Sequence, residues 1–348
     1  MRVIVVTTQV PFVRGGAEIH AEQLRDAVKA AGHEVDIVAI PFRWYPPERI
    51  LDHMLACRLL DLGSFNGVDV DRVIALKFPA YYVKHKNKVL WVLHQHRTAY
   101  ELWDSEVSDL VDYPNGIRVR DAIRRADREL IPQSRRVFAN SGNVASRMKA
   151  YCGIDAAPLY HPPRNAGRFF CGDPEDYLFL PSRITHIKRQ SLVIEALALT
   201  RNPVVVRFCG TADDNRYEQE LKSMADKLGV ANRVQWLGEV TEQRKRELFA
   251  RCLAVIYPPL DEDLGYVTME AMLSSKPVLT CRDSGGTLEF VRHRETGLIV
   301  EPTPAAVADA MDQLWDDRSV TRKWGHSARG LYDDMKIEWP KVVEKLLE

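Results

Sequence analysis

Residues 2–32 read RVIVVTTQVPFVRGGAEIHAEQLRDAVKAAG, and this stretch decides which fold the chain can adopt. The run RVIVV is short and rich in β-branched side chains, which is typical of a parallel strand buried on both faces. A glycine-containing loop follows, and residues 17–32 have apolar side chains at helical spacing and stop at Gly32. A strand that passes through a short loop into a helix is the repeating unit of α/β proteins.

The same alternation continues along the first half of the chain. Further strands are predicted at 34–40, 71–76, 88–94 and 136–141, and a long Arg-rich helix precedes the last of them. The pattern weakens between residues 154 and 176, where Pro, Gly and polar residues are frequent. Because such stretches are typical of domain boundaries, we place a linker there.

The alternation restarts after the linker, and the second half repeats the theme. We predict an α/β protein with two Rossmann-like doubly wound domains, at 1–165 and 175–325, facing across a cleft. The carboxyl ends of both sheets would line that cleft, where such folds bind ligands. In the second domain the predicted strands are 176–182, 202–210, 233–238, 253–259, 276–280 and 297–302, and the predicted helices are 189–200, 215–229, 241–252 and 266–276.

Composition narrows the functional classes. Of the 348 residues 46% are hydrophobic, and 48 Lys and Arg balance 48 Asp and Glu. Zero net charge argues against a dedicated nucleic-acid binder, since such domains are usually basic. The six cysteines are scattered without a C-x-x-C pair, and no His/Cys set has zinc spacing. Without a signal peptide or an apolar run near 18 residues, a cytoplasmic protein is expected.

Glycines after the first strand offer the first hint of a ligand. The fingerprint G-x-G-x-x-G and the Walker A motif are both absent there, which argues against a dehydrogenase and a P-loop enzyme. Instead, Gly15 and Gly16 directly precede a helix, where backbone N–H groups can approach an anionic group closely. A glycine pair before a helix is also common as plain loop geometry, so both interpretations stay open.

Two basic residues follow the first strand of the second domain. Arg183 and Lys188 lie in LPSRITHIKRQ, at the carboxyl end of that strand. Arg offers a planar fork for phosphate oxygens and Lys offers a point charge. The alternative is a pair of solvated loop residues.

The stretch PPLDEDLGYVTMEAM (258–272) places acids on both sides of Gly265. We predict that Glu262 lies in a loop and Glu270 about two turns down the following helix, so that they reach different parts of one long ligand. Glu270 would accept hydrogen bonds from a diol such as a ribose, and Glu262 from a second polyol. The N–H groups of residues 264–267 would face an anion between them. A diol, an anion and a second diol describe a nucleotide sugar.

These motifs, in this order, resemble the GT-B glycosyltransferases of family 4, retaining enzymes that use nucleotide-diphosphate sugars. The resemblance covers nearly the whole chain and is carried by GGAE, SRITHIKRQ, VQWLGEVT, EDLGYVTMEAM, SGGTLEFV and ETGLIVEP. One departure is that Asp263, Leu264 and Gly265 stand where the family often has Gly-Phe-Gly. The donor sugar therefore cannot be carried over from the family.

The resemblance implies a role for each matching residue. Arg183 and Lys188 would bind the diphosphate, Glu262 would contact the transferred sugar, and Glu270 would hold the ribose. His94 resembles the family's cleft histidine, with His96 as the second candidate. The catalytic set implied is Glu262, Arg183, Lys188 and His94, and the donor-binding set is Gly15, Gly16, Arg183, Lys188, Leu237, Val240, Glu262, Gly265, Tyr266, Val267 and Glu270.

The implied reaction moves a hexosyl unit from a UDP- or GDP-linked sugar to a hydroxyl of a glycan, a glycolipid or a small molecule, in cell-surface polysaccharide synthesis. The family's proposed same-face substitution uses the donor phosphate to help deprotonate the acceptor, so no cofactor and no metal are expected. The alternative for Asp261–Asp263 is the metal-binding D-x-D of the other glycosyltransferase fold.

Two other functions share this fold class. One is a nucleotide-sugar 2-epimerase, which would need further acids in the first domain, and Glu101, Asp104 and Glu106 are available on a predicted helix. The other is a non-catalytic subunit that binds sugar nucleotides, which would usually have a broken phosphate clamp.

Basic segments and the chain's last helices raise two further expectations. Lys84–Lys88 and residues 117–131, with five Arg, would either make peripheral contact with anionic lipid at the inner face of the membrane or form a solvated face. The resemblance also implies that C-terminal helices at 326–348 cross back to the first domain, with Trp324 and Trp339 packing.

Overall fold

The computed structural model describes residues 1–12, 15–105 and 108–348. The chain forms two compact units, of which the first comprises Met1–Arg164 with Ile337–Glu348 and the second comprises Asn165–Lys336. The return to the first unit comes at Ile337 and not at the predicted residue 326, because the helix Arg318–Met335 stays on the second unit, where Arg329 donates to the Leu273 carbonyl at 3.0 Å.

The first unit is built on a six-stranded parallel sheet with strand order β2-β1-β5-β6-β7-β8. Its order reverses between β1 and β5. The strands are β1 (Arg2–Gln9), β2 (Glu34–Pro41), β5 (Arg72–Ala75), β6 (Lys88–Val92), β7 (Arg136–Ala139) and β8 (Ala157–Pro158), with a small hairpin of β3 (Ser64–Phe65) and β4 (Val68–Asp69). The helices are α1 (Gly16–Ala30), α2 (Glu48–Leu59), α3 (Gly116–Leu130), α4 (Gly142–Cys152) and, at the far end of the sequence, α11 (Trp339–Leu347).

The second unit also has a six-stranded parallel sheet, in the order β11-β10-β9-β12-β13-β14. The order reverses between β9 and β12, so this sheet has its topological switch point there. The strands are β9 (Leu178–Pro181), β10 (Val206–Cys209), β11 (Val234–Trp236), β12 (Ala254–Ile256), β13 (Val278–Cys281) and β14 (Gly297–Val300). The helices are α5 (Gln190–Leu199), α6 (Asn215–Lys227), α7 (Glu242–Arg251), α8 (Tyr266–Leu273), α9 (Pro304–Asp316) and α10 (Arg318–Met335).

Burial explains why the apolar runs predicted the strands well. All residues of β5, β6, β9, β12 and β13 are buried, as expected for strands covered by helices on both faces. The helices α2, α4 and α9 were not predicted, and of α10 only the part from residue 326 onward was predicted. Ser141 caps α4 by accepting from the Val144 amide at 3.0 Å, and Thr303 caps α9. Among the described residues, no helix has the length and apolar character needed to cross a membrane.

A pair of buried histidines joins helices α1 and α11 in the first unit. His20 Nδ1 lies 2.7 Å from His161 Nε2, and His161 Nδ1 donates to the Pro162 carbonyl at 3.1 Å. His161 Nε2 therefore accepts from His20. The rings of Trp91 and Trp339 pack against the pair.

Acidification should therefore loosen the first unit. Burial lowers the pKa of His161 to about 4 and holds that of His20 well below its ordinary value of 6.5. The pair makes stability independent of pH only well above pH 6.5, where the imidazoles are neutral in both the folded and the unfolded state. Below it the unfolded chain takes up protons that the folded chain excludes, so the free energy of unfolding should fall by up to about 1.4 kcal/mol per pH unit for each imidazole. Urea unfolding at pH 7, 6 and 5 measures this, and an equal slope in His161→Gln would contradict it.

Candidate functional site

The loops that follow β9 and β12 bring most of the predicted donor residues of the second unit together. Parallel strands end at one edge of a sheet, and these two strands flank the switch point. Lys188 belongs to the loop after β9, and Glu262 belongs to the loop after β12. The residues predicted from separate motifs therefore meet where a doubly wound sheet ordinarily binds its ligand.

Lys188, Tyr257 and Glu262 form a connected cluster at this place. The Lys188 ammonium donates to the Tyr257 hydroxyl at 2.9 Å and pairs with the Glu262 carboxylate, to which Tyr257 also donates at 2.8 Å. The side chains of Lys188 and Glu262 are 11% and 17% exposed. An ammonium has three N–H donors, so one donor of Lys188 has no partner among the described residues. Tyr257, which ends the apolar run LAVIY, was not predicted as a site residue.

The backbone around Glu262 is fixed by the loop that carries SGGTLEFV. The Glu262 carbonyl accepts from the Gly286 amide at 2.7 Å, and the Glu262 amide donates to the Ser284 carbonyl at 3.3 Å. A side chain at Gly286 would meet the Asp263 carbonyl at 2.4 Å, so only glycine permits this approach. Gly265 caps helix α8 with φ of +83°, the left-handed region. The loop that carries SGGTLEFV therefore holds the loop of Glu262 in place through close backbone contacts.

Glu270 lies on the second turn of α8, four residues after Tyr266, and thus nearer the start of the helix than the predicted two turns. It is 8% exposed and its Oε1 accepts from Lys245 Nζ at 2.7 Å, whereas its Oε2 is buried and accepts no hydrogen bond within the described part of the chain. Burial raises the pKa of Glu270, and Lys245 opposes that rise. Lys245 was not among the predicted site residues, because the sequence indicates only that it lies on a helix, at 241–252.

Tyr266, the first residue of α8, lies within range of the charges of both glutamates. Burial raises the pKa of its hydroxyl, and the charges of Glu270 and Glu262 raise it further. Burial also raises the pKa of the Tyr257 hydroxyl, and the charges of Glu262 and then Glu270 raise it further. Tyr266 and Val267 stand at the amino end of α8, where helical amides lack intrahelical partners.

Arg183 is not part of the cluster. Its guanidinium pairs with Asp213 at 2.6 Å, and the two side chains are 58% and 50% exposed. Asp213 follows β10, and Gly210 allows the two loops to touch, since a side chain there would meet the Ser182 carbonyl at 2.2 Å. The structure thus pairs Arg183 with Asp213 and Lys188 with Glu262.

Leu237 and Val240, which the resemblance places in the donor-binding set, lie after β11. The Leu237 amide donates to the Phe208 carbonyl at 2.9 Å, and the Gly238 carbonyl accepts from the Gly210 amide at 2.9 Å. The Leu237 amide therefore continues the strand pairing, and a contact of Leu237 with the donor through its other backbone groups stays a prediction. Val240 is half-buried in the loop that leads into α7.

In the first unit, Gly15 and Gly16 stand at the start of α1, beside the point where the sheet order reverses. The Gly15 amide donates to Glu18 Oε2 at 2.8 Å, and Glu18 Oε1 pairs with Lys77 at 3.2 Å. The amide expected to meet an anion is thus occupied by a carboxylate from its own helix. Glu18 and Lys77 were not predicted, although Glu18 three residues after Gly15 has capping-box spacing.

His94 lies in the loop two residues beyond the end of β6, and not within the strand as predicted. It is half-buried, and its Nδ1 donates to the Gln95 carbonyl at 2.8 Å.

The Gln95 side chain donates in turn to Asp127 Oδ2 at 2.8 Å. Asp127 is fully buried and also accepts hydrogen bonds from the hydroxyls of Tyr81, Tyr82 and Tyr100. This network fixes the loop of His94. His96 contacts Phe78, and burial lowers its pKa to about 4.

The acids that an epimerase would need are not arranged for catalysis. Glu101 accepts from Arg97 at 2.7 Å and from Arg147 at 3.1 Å, so it serves an ion-pair network. Residues 101–105 form turns, not the predicted helix. Asp104 is exposed, and Glu106 lies outside the described residues. Within the described ranges, no group of three or more His, Cys, Asp or Glu could hold a metal ion.

The chain is similar to known glycosyltransferases. Residues 170–331 match the family of glycosyl transferases group 1. The alpha-1,3/1,6-mannosyltransferase ALG2 of Mus musculus is 29% identical over 191 residues, which are 48% of this chain and 46% of that protein. The O-antigen chain mannosyltransferase C of Escherichia coli is 23% identical over 186 residues, 53% of this chain and 48% of that protein. The chain thus spans about half the length of these curated relatives.

A solved structure extends the likeness to the whole chain. The crystal structure of Anabaena HepE in complex with UDP and glucose has a TM-score of 0.72 at 18% identity and covers 99% of this chain and 98% of that one. At this identity the likeness shows the fold. The second unit is therefore similar to the glycosyl transferases group 1 family over residues 170–331, and the chain has the GT-B fold of its structural neighbour.

Proposed function

We propose that this protein is a retaining glycosyltransferase that moves a hexosyl unit from a UDP- or GDP-linked sugar to a hydroxyl of a glycan, a glycolipid or a small molecule. The observation that carries the proposal is the cluster of Lys188, Tyr257 and Glu262 at the switch point of the second sheet, with Glu270 on the adjacent helix. Cations, helical amides and two separated carboxylates suit a ligand that has an anion between two polyols.

Lys188 is the proposed group for the diphosphate. Its spare N–H can meet a phosphate oxygen while Tyr257 and Glu262 keep the ammonium in place. As the bond to the sugar breaks, negative charge grows on the leaving phosphate, and a fixed cation stabilises that charge without reorganisation. The amides of Tyr266 and Val267 would add to this stabilisation.

Glu270 is the proposed group for the ribose. Its Oε1 is already held by Lys245, and its buried Oε2 lacks a donor among the described residues. Buried carboxylate oxygens are ordinarily hydrogen-bonded. A ribose hydroxyl would supply the missing donor.

The names of the relatives favour a mannosyl unit within the proposed class. Both the mouse and the Escherichia coli relatives are mannosyltransferases. We therefore place mannose first among the hexoses. We also propose the cytoplasm as the site of the reaction, and the six cysteines, all free thiols, fit a reducing compartment.

Peripheral contact with an anionic membrane is part of the proposal. On α3, Ile117 is 60% exposed beside the exposed Arg118 and Arg125. An apolar side chain among arginines suits the boundary between headgroups and acyl chains. The other basic segment contributes less than expected, because Lys88 is buried and donates to the Tyr81 carbonyl at 2.9 Å.

A ligand screen tests the proposed function directly. GDP-mannose, UDP-glucose and the corresponding nucleosides are compared for their effect on thermal unfolding, followed by assays of sugar transfer. A ligand at 100 times its dissociation constant should stabilise the protein by about 2.7 kcal/mol. Stabilisation by a nucleotide sugar without any transfer to the hydroxyls tested, and without slow hydrolysis of the donor, would favour a non-catalytic binding protein.

Substitutions of Glu262 and Glu270 should change different kinetic parameters. Glu262 faces the reacting sugar in this proposal, so its interaction strengthens as positive charge develops, and Glu262→Gln should lower kcat more than it raises KM for the donor. Glu270→Gln keeps the shape of the ribose contact and should mainly raise KM. Initial rates with saturating acceptor measure both. Indistinguishable effects would mean that the two residues act as one unit or that neither contacts the donor.

Removal of divalent ions with EDTA should leave the turnover number unchanged. The proposed donor phosphates are neutralised by Lys188, by Arg183 after it leaves Asp213 and by the start of α8, so no divalent ion is required. Initial rates before and after EDTA treatment check this. Complete loss of activity with rescue by manganese would make Asp261 and Asp263 metal ligands and overturn the proposal.

A further inference from the structure

A polar cavity lies in the second unit at the edge of the sheet opposite Lys188 and Glu262. Leu253 and Pro277 line it, and they immediately precede strands β12 and β13. In a parallel sheet the amino ends share one edge and the carboxyl ends the other. The cavity measures about 270 Å³ and is enclosed by residues 171–174, the turn 275–277 and one face of helix α10.

Lys276 brings a buried charge to this cavity. Its residue exposure is 4%, and its Nζ donates to the Gly172 carbonyl at 3.2 Å. Within the described part of the chain no carboxylate forms an ion pair with it. Taking an ammonium out of water without an anion is unfavourable by several kcal/mol. The position of Lys276 is therefore explained best by a negative charge that the protein itself does not supply.

Helix α10 adds three basic side chains to the same cavity. Arg318, Arg322 and His326 follow one another at intervals of four residues and therefore share one face of the helix. Arg318 is held by Asp176 at 2.8 Å and by the Trp315 carbonyl at 2.8 Å. Among the described residues that line the cavity, the one acid is Asp173.

We propose that this cavity binds a small phosphorylated molecule through Lys276, Arg322 and His326. The excess of basic over acidic groups calls for a ligand with two or more negative charges, which a phosphate carries and a single carboxylate does not. Arg provides a planar fork and Lys a point charge for phosphate oxygens. Arg322 and His326 are about 6 Å apart along the helix axis, so a diphosphate reaches both more readily than one phosphate does.

The site does not depend on the proposed donor site. Lys188 and Glu262 stand at the carboxyl ends of the strands, whereas Lys276 stands at their amino ends. A phosphorylated ligand here would be a second ligand of the enzyme and not its sugar donor. The same phosphate chemistry could come from a free molecule or from a lipid headgroup, and the size of the cavity favours the free molecule.

Cys171 provides a local reporter of occupancy. It is exposed and lines the cavity, whereas Cys57, Cys209, Cys252 and Cys281 are buried and Cys152 is half-buried. N-ethylmaleimide is neutral, and mass spectrometry assigns the label to one cysteine. Inorganic pyrophosphate at millimolar concentration should slow labelling of Cys171 several-fold and leave the rate at Cys152 unchanged.

Variants separate this site from the other phosphate site. Lys276→Met and Arg322→Gln should each raise the pyrophosphate concentration needed for half-maximal protection by about tenfold or more, since each removes a charge-assisted hydrogen bond. Lys188→Ala should retain the protection, and so should Lys323→Gln, an exposed residue of the same helix. Thermal unfolding verifies that each variant folds, and Met at position 276 should not lower the midpoint, because a buried charge is replaced by an apolar chain.

The labelling experiment can overturn both the phosphate site and the assignment of its ligand to a free molecule. Protection that survives in Lys276→Met and Arg322→Gln, or a labelling rate that pyrophosphate does not change, would overturn the proposal. Vesicles of phosphatidylglycerol, tested in parallel, distinguish the two sources of phosphate. Protection by vesicles without protection by pyrophosphate would overturn the assignment to a free molecule and point to a lipid headgroup.

Discussion

Replacing Lys188 with alanine is expected to weaken binding of a nucleoside diphosphate by about 10- to 150-fold, while binding of the nucleoside stays unchanged. Only the diphosphate carries the charge that Lys188 meets, and a hydrogen bond to a charged group contributes about 1.5–3 kcal/mol. The variant also leaves Glu262 without its cation, so a negative side chain then faces the phosphates. Titration calorimetry with the UDP and uridine pair, and with the GDP and guanosine pair, measures the difference.

Arg183→Ala is the matched control for this experiment. Its guanidinium is 58% exposed and already paired with Asp213, so its contribution is screened by solvent and should be well below that of Lys188. Asp213→Asn releases Arg183 and should strengthen binding of the diphosphate modestly. Equal losses for diphosphate and nucleoside in Lys188→Ala would mean that this lysine supports the fold and does not bind the donor.

Replacing Lys245 with methionine is expected to destabilise the second unit by about 3 kcal/mol at neutral pH. Breaking a buried ion pair from one side costs about 3–5 kcal/mol, because the other charge stays buried without a partner. Glu270 is 8% exposed and Lys245 is 25% exposed, which places the pair at the lower end of that range. Urea unfolding of the variant and the parent protein gives the difference in the free energy of unfolding.

The pH dependence of the Lys245→Met variant identifies the cause of its instability. Burial already raises the pKa of Glu270, and loss of Lys245 should raise it further. A carboxyl whose pKa is higher in the folded state than its ordinary 4.5 lowers stability above its folded pKa and ceases to do so as it protonates. The destabilisation should therefore shrink as the pH falls toward 4.5.

The double variant Lys245→Met, Glu270→Gln should recover much of the lost stability, since it leaves no buried charge at this position. Both single variants should also lose part of the preference for a nucleotide with ribose over its 2′-deoxy analogue. A destabilisation that does not depend on pH, together with an unchanged preference for ribose, would show that Lys245 acts only through packing of its aliphatic chain.

Strand prediction succeeded because buried parallel strands leave an unambiguous pattern. Runs such as KVLWV and AVI are buried at every position, and their apolar residues follow one another without the alternation of a half-buried strand. Helices fared less well. ERILDHMLACRL (α2) buries few of its residues and shows weak periodicity, so its helical character is set by what it packs against.

The site residues that belong to recognisable sequence motifs could be predicted from the sequence. Lys188, Glu262 and Glu270 were found in this way, and the structure places them around the end of β12. Lys245 and Tyr257 were missed because one lies on an ordinary amphipathic helix and the other at the end of an apolar strand. Their importance arises from pairing across 25 residues to Glu270 and across 69 residues to Lys188, which no local pattern encodes.

Helix α11 has a consequence for how the chain acquires its structure during synthesis. It covers α1 in the first unit, and Arg72 donates to the carbonyls of Leu346 and Leu347 at 3.1 and 3.0 Å. The second unit is one uninterrupted stretch of sequence, whereas the first is completed only by residues encoded after it. At about 5–20 residues per second, the ribosome needs on the order of ten to thirty seconds to pass from one part of the first unit to the other. During that interval the apolar side chains that later meet Val342, Val343 and Leu346 are uncovered, so the unit made first is finished last.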